Sequence, residues 1–477
     1  MDAMTRREAI AKAGTAATLL SLPSVLLACG SSGSTATKGV GGRGTNARIG
    51  SLTWALAGSP PTLDPATGSS ATGYQVMNLG LEGLVSIDND LQVAPRLAES
   101  WAQTDPLHYV YQLRPGVKFW DGTPLTAEDV VYSMSRHLDP KVASQIATHY
   151  ARVKSIKATG PAEITVVLSE PDPLFKYVPA RSFVTPKAFT ERLGKKLGVS
   201  GARVNTMGTG PYRITKFDSE TGATLVRNPL YWGKPATAEN VNFEVIADPS
   251  DLLLALESGD VDGAAAVPLD LLRDLRGMRG VAVSTPPGLT PYFLSFDVTR
   301  PPFNDVHVRR AVAHATDTAG MVKAFLNGAG EPAKAIPAPQ QWAGLASPAR
   351  VEEIYSQIPQ YPFDLEAAKR ELAQSQHPGG FTVTTQYTSG DKSLGKALVS
   401  LSETLKGIGI RLQVKEVPET KWLADYYAHN QALLGIGYAP SAPDPTNFLQ
   451  LFYPSANARK NSVNTANFKD ERVDRLL

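Results

Sequence analysis

From Ile49 onward the chain alternates between strand-like and helix-like patterns of apolar and polar residues. His108-Tyr109-Val110-Tyr111-Gln112-Leu113-Arg114 has strand composition, and Arg114-Pro115-Gly116 reads as a turn. Val117-Lys118-Phe119-Trp120 reads as a second short strand, closed by a tight turn at Asp121-Gly122. Thr126 stands at an N-cap position, with Glu128 and Asp129 in the first turn and Val130, Val131, Met134 and Leu138 at helical spacing. Gly208-Thr209-Gly210-Pro211 reads as a turn. The next apolar positions, Tyr212, Ile214 and Phe217, then Thr224, Leu225 and Val226, predict a hairpin around Ser219-Glu220-Thr221-Gly222. Leu252, Leu253, Ala255 and Leu256 form a helix face stopped by Gly259. Tyr292 to Asp297 alternate as a strand. Asp305 and Asp317 cap two successive helices, and Asn327-Gly328 closes the second. Residues 331–362 read as an irregular Pro/Ala-rich excursion. A helix (364–374), a strand (381–387), a helix (394–406) and a strand (410–414) follow. The ordinary role of these apolar stripes is core packing, and no internal repeat is visible.

Composition narrows the class. The 477 residues are 42% hydrophobic and 19% charged, with 40 Gly and 36 Pro, which suits a loop-rich folded protein rather than a disordered one. Two or three compact units are expected at this length. The formal charge of +2 lacks the basic excess that nucleic-acid binding needs. A single cysteine rules out an intrachain disulfide and a paired-cysteine metal knuckle.

That cysteine gives the N-terminus a meaning. Arg6-Arg7 and Lys12 precede an apolar stretch from Gly14 to Ala28, too short to span a membrane and fitting a signal-peptide core. The stretch ends Leu26-Leu27-Ala28-Cys29-Gly30, which resembles a lipobox, so residues 1–28 are expected to be removed and Cys29 to carry the lipid. Paired arginines with a polar neighbour resemble a twin-arginine signal. Residues 29–48, Gly/Ser/Thr-rich, are expected to form a flexible tether with an r.m.s. span of about 25 Å. At about 0.8 kcal/mol per buried methylene, two or more acyl chains would hold the protein at a membrane face.

Chemistry-bearing patterns are few. Neither HExxH nor GxSxG occurs. His307 and His314 stand about 10.5 Å apart along a helix, too far for one metal ion. Gly390-Asp391-Lys392-Ser393-Leu394-Gly395-Lys396-Ala397 is a near miss for a phosphate loop, because Ala397 replaces the hydroxyl residue that would hold Mg²⁺. No enzymatic activity, cofactor or metal is expected.

Several runs, taken together and in order, carry a resemblance. They are Ala94-Pro95-Arg96-Leu97-Ala98-Glu99-Ser100-Trp101, the stretch Leu113 to Val130, Gly208-Thr209-Gly210-Pro211-Tyr212, Arg227-Asn228-Pro229 with Tyr231-Trp232, Ser258-Gly259-Asp260-Val261-Asp262, Pro302-Phe303-Asn304-Asp305 with Val308-Arg309-Arg310-Ala311, and Pro443-Asp444-Pro445. Over nearly all of residues 49–477 the chain resembles the family 5 bacterial extracellular solute-binding proteins, the peptide/nickel-type receptors of ATP-binding cassette importers. The resemblance implies an α/β, two-lobed periplasmic-binding-protein-like fold, with a subdomain inserted in the first lobe and ligand held between the lobes by hinge closure. Lobe I is then expected at 49–75 and 201–287, the inserted subdomain at 76–200, and lobe II at 288–477, with a crossover at Pro286-Pro287-Gly288. It also implies a C-terminal segment returning to the first lobe, expected to be missing here.

The implied partners are a small-molecule or peptide ligand, the permease subunits of the importer, and the membrane through the lipid anchor. The implied location is the outer face of the cytoplasmic membrane, as a monomer. Peptide binders of this family place an aspartate three residues before the Asp-Pro pair, where it meets the ligand ammonium; here that position is Ser441. A serine brings no charge to a desolvated ammonium, so blocked peptides, sugars, opines and other solutes stay open. Tyr438 matches the aromatic position of the same motif. Ser69 and Ser70, after Leu63-Asp64-Pro65, fall where family members offer an extended strand to ligand, and Trp422 is a candidate stacking surface. The candidate ligand-binding set is therefore Ser69, Ser70, Trp422, Tyr438 and Ser441. A surface sensing or interaction protein, or a truncated inactive receptor, is the alternative.

Overall fold

The computed structural model describes residues 49–477 except 266, 287, 389 and 390. The expected signal peptide, Cys29 and the tether lie outside the described residues, as do Pro287 of the expected crossover and Gly390 of the near-miss loop. The described chain is mixed α/β.

A five-stranded sheet runs in the order Gly263–Ala264, Ile49–Leu56, Ala238–Val245, Gly222–Arg227 and Tyr212–Asp218. Ile49–Leu56 pairs parallel with both neighbours, and the remaining pairs are antiparallel. Residues from both ends of a long excursion thus meet side by side. The helix Ala71–Gly80 packs under this sheet through Val76 and Met77, which share a core with Leu56, Leu63, Phe183, Ile214 and Phe243. The expected boundary at 75/76 falls inside this helix.

The excursion carries its own antiparallel four-stranded sheet, Ala98–Asp105, His108–Leu113, Glu163–Leu168 and Val153–Gly160. The His108 strand alternates buried and half-buried positions. Its buried face, Tyr109, Tyr111 and Leu113, joins Val130, Met134, Ile164 and Val166 in a second core. Each such side chain contributes about 1.5–3 kcal/mol. The helix Ala127–Ser135 starts at Thr126 in a reciprocal capping box with Asp129. Leu138, placed on its face by spacing, lies beyond its end and is exposed. Val117–Trp120 is not a strand: only Lys118 bridges Pro124, because the chain doubles back at once through Phe119 N to Thr123 O.

Glu82 joins these two parts. Its buried carboxylate accepts from Arg96 Nε at 2.7 Å, Thr209 Oγ1 at 2.8 Å, Tyr231 Oη at 3.2 Å and Trp232 Nε1 at 2.9 Å. Gly208 has no side chain because a Cβ there would lie 2.4 Å from the Gly80 carbonyl oxygen. The Arg96, Gly208-Thr209-Gly210 and Tyr231-Trp232 motifs are therefore parts of one joint.

A third core belongs to residues 292–437. Phe381–Thr388 and Ile410–Val417 pair in parallel, connected by the helix Lys392–Lys406, while Tyr292–Phe296 pairs antiparallel with Leu433–Gly437. Leu433-Leu434-Gly435-Ile436 is buried throughout because both faces are covered. A Cβ added at Gly435 would lie 3.2 Å from Leu394 and Leu398 side-chain atoms, and Leu434 and Ile436 pack with Tyr426 on the other side. The stretch 331–362 is less irregular than expected. It holds a 3-10 turn (Pro339–Trp342) and the helix Pro348–Ser356, capped by Ser347 with Pro348 in its first turn and anchored by buried Val351 and Tyr355.

Candidate functional site

The strand Leu433–Gly437 delivers the chain to a loop, 438–444, and then to the helix Pro445–Phe452. Asn447, buried on that helix, organises the loop. Its Oδ1 accepts from Tyr438 Oη at 2.8 Å and from Ser441 N at 3.3 Å, while its Nδ2 donates to Ser441 Oγ at 2.9 Å. Ser441 Oγ thus acts as acceptor within the protein and retains its own O–H as a donor. The Tyr438 ring meets Phe452 edge-on at 5.0 Å, and burial pushes its phenol up to about 12.

Trp422 stands in the first turn of the helix Glu419–Ala428 and stacks on Tyr426 at 5.1 Å. Trp422 and Tyr438 pack against the same cluster of Tyr426, Leu434 and Ile436. The indole Nε1 of Trp422 is buried with no hydrogen-bond partner among the described residues, an arrangement that costs free energy unless something else accepts from it.

Opposite this loop lies the 3-10 segment Phe175–Ala180 with Arg181 after it. Lys176 Nζ is 3.6 Å from Asp444 Oδ2, and the Arg181 guanidinium donates to the Ser441 carbonyl at 3.5 Å. Asp444 is also the N-cap of the Pro445 helix, its Oδ1 accepting from Thr446 N at 3.0 Å and Thr446 Oγ1 at 2.6 Å. The reach to Lys176 was not legible in the sequence. The neighbouring phenol of Tyr177 is raised to about 12, by burial first and by the Asp444 charge second.

Ser69 and Ser70 sit at the start of the helix Ala71–Gly80. Ser70 is its N-cap, with Oγ accepting from Gly73 N at 3.0 Å. The Ser69 amide donates to Gln145 Oε1 at 3.0 Å, and its hydroxyl donates to the same oxygen. The preceding Leu63-Asp64-Pro65 segment is held by a two-pronged Arg136–Asp64 pair at 2.7 and 2.8 Å. One turn along the helix, Tyr74 carries the Arg181 guanidinium over its ring at 5.1 Å, and its phenol oxygen is buried without a partner among the described residues.

The structure thus brings Trp422, Tyr438 and Ser441 together, and connects them through Arg181 and Tyr74 to the helix that Ser70 caps. Tyr74, Lys176, Arg181 and Asn447 are absent from the set read from sequence. One signal was available: Lys176 and Arg181 are the only charges in Pro173-Leu174-Phe175-Lys176-Tyr177-Val178-Pro179-Ala180-Arg181-Ser182-Phe183-Val184. Two cavities of about 470 and 450 Å³ lie elsewhere, the first at Val298, Thr299 and Phe468, the second at Phe325, Tyr387 and Val399. Among the described residues no cluster of His, Cys, Asp or Glu could hold a metal ion, and no helix is long and apolar enough to cross a membrane. Aromatic faces, a hydroxyl, unpartnered N–H and O–H groups and a guanidinium suit noncovalent capture of a polar solute.

Residues 92–460 match the family described as bacterial extracellular solute-binding proteins, family 5 Middle. The chain is 25% identical over 427 residues to the glutathione-binding protein GsiB of Escherichia coli O1:K1 / APEC, covering 87% of this chain and 80% of that protein. It is similar in fold to the periplasmic binding protein DppA from Helicobacter pylori in complex with peptide STSA. There the TM-score is 0.71 at 23% identity, over 90% of this chain and 86% of that one. It is likewise similar to AgaA from A.tumefacien R10 in complex with agropinic acid, with a TM-score of 0.67 at 24% identity over 90% and 84% of the two chains. The fold is that of the periplasmic binding proteins.

Proposed function

The chain belongs to the bacterial extracellular solute-binding proteins, family 5, and on that footing we propose that it captures a peptide or peptide-like solute between two lobes and hands it to the permease of an ATP-binding cassette importer. Trp422, Tyr438 and Ser441 line one side of the solute, and the Ser69–Ser70 segment, held by Gln145 and by the helix it caps, lies on the other. The observation that carries this reading is the seam itself. Side chains of the 175–181 segment and the 438–444 loop meet across it, with unpartnered N–H and O–H groups of Trp422 and Tyr74 nearby. Closure would bring solute atoms to those groups, and opening would release the solute without any bond being made.

Relatives of this chain are described with glutathione, a short peptide and agropinic acid, so one scaffold accommodates peptides and other polar solutes. Ser441 favours a ligand that needs no carboxylate at that position. We place the mature protein outside the cytoplasmic membrane as a monomer, exported by the signal in residues 1–28 and tethered through a lipid on Cys29. Mass spectrometry of small molecules released from the purified protein tests the receptor reading. A stoichiometric solute that restores a thermal shift when added back supports it; no released solute and no shift across peptides, sugars, opines and metal chelates would overturn it. Labelling with radioactive palmitate, lost in Cys29→Ala, tests the anchor.

A further inference from the structure

Building on that receptor reading, we propose that Arg181 sets specificity, and that the solute presents an anionic group, a carboxylate in the simplest case, to its guanidinium at the seam. Arg181 is half-buried, and its contacts are a neutral backbone carbonyl, Ser441 O, and the face of Tyr74. No carboxylate lies within ion-pair distance of it among the described residues. The acids nearby are already engaged: Asp444 faces Lys176, and Asp172 lies 3.9 Å from Arg152. The ring at its side offers no counter-charge either. His149 is biased toward the neutral form, by burial first and by the Arg181 charge second.

A guanidinium drawn partly out of water and left without an anion is unfavourable, and its planar fork is shaped to receive a carboxylate through two parallel hydrogen bonds. The carbonyl at 3.5 Å uses one arm weakly and leaves the others open. The unpartnered phenol of Tyr74, on the ring beneath the guanidinium, supplies a further donor for the same group. At the other side of the seam Ser441 brings a hydroxyl and no charge. The charge balance of the site therefore favours the acidic end of a solute over its ammonium end.

The test uses the full chain, freed of co-purified solute, and Arg181→Gln and Arg181→Lys variants. Glutathione, Ala-Ala-Ala, N-acetylglutamate and succinate are titrated calorimetrically, each beside the amide of its carboxyl groups. At least one acid should bind the wild type tenfold or more tighter than its amide. Arg181→Gln should erase that preference, and Arg181→Lys, which keeps the charge and loses the fork, should retain part of it. The proposal is overturned if every acid that binds is matched by its amide, or if Arg181→Gln keeps the preference. Where none of these probes binds, the co-purified solute decides: an acid whose affinity falls in both variants supports the assignment, and a neutral or cationic one rejects it. Neutral solutes binding well would sink this assignment alone, whereas a wild type that neither binds nor carries any solute would sink the receptor reading with it.

Discussion

Lys176 and Asp444 meet at 3.6 Å, the lysine from the segment after the four-stranded sheet and the aspartate from the loop after Leu433–Gly437. The aspartate side chain is almost fully buried and the lysine is partly exposed. Because the same carboxylate caps the Pro445 helix, the contact ties the 175–181 segment to the rigid start of that helix. A double-mutant cycle with Lys176→Met and Asp444→Asn should give a coupling of about 1 kcal/mol in stability or closure, weakening with added salt. A coupling indistinguishable from zero at low salt would remove this pair from the seam.

Asn447 holds two of the proposed ligand residues at once. Asn447→Ala leaves Tyr438 Oη and Ser441 N without their acceptor. Stability should fall by about 1–3 kcal/mol in urea titrations. Affinity for the recovered solute should fall further than that of Thr446→Ala, a neighbour whose hydroxyl bonds only to the Asp444 cap. Equal losses in the two variants would show that the loop geometry does not matter for binding.

Glu82 is a structural joint rather than a ligand contact. Four donors converge on its buried carboxylate, one of them the charged Arg96. Glu82→Ala should cost about 3–5 kcal/mol, because it strands that charge beside three unsatisfied neutral donors. Denaturant unfolding measures it, and a loss below about 1 kcal/mol would mean the joint is not a unit.

His137 gives the fold an acid sensitivity. The ring is buried, stacks on Tyr150 at 4.8 Å and places Nδ1 2.8 Å from Ser144 Oγ. Burial, with the Arg136 charge second, lowers it from 6.5 to about 4. The unfolded histidine therefore takes up its proton at higher pH than the folded one, so acid favours unfolding. Its contribution is whole above pH 6.5, declines as pH falls, and is fully lost below about 4, a change of ~3 kcal/mol. In urea unfolding between those limits, His137→Gln should flatten the pH dependence; an unchanged slope would place the titration elsewhere.

The legible parts of the fold are those written in local chemistry. Asp305 and Asp317 each cap a helix by bonding a backbone N–H two or three residues on, so spacing alone finds them, whereas the caps at Asp248, Asp364 and Asp391 emerge only in the structure. The helix Glu419–Ala428 has no side-chain cap and only Tyr426 fully buried, and it left little periodic trace. Of the candidate site, Tyr438 and Ser441 were reachable through their offset from Asp444-Pro445. Arg181 and Tyr74 were not, because their meeting depends on how the helix Ala71–Gly80 and the 175–181 segment pack in three dimensions. Ser70 was read for a place near ligand, and its Oγ accepts from Gly73 N as the helix N-cap, which leaves its O–H as a donor.

The central claim is a solute gripped between two halves that close on it. Small-angle scattering of the stripped protein, before and after saturation with the solute that co-purifies with it, tests this most directly. The account predicts a contraction on saturation, reversed on removal and diminished in Arg181→Gln. Superimposable profiles with and without a solute proven to be bound would contradict it.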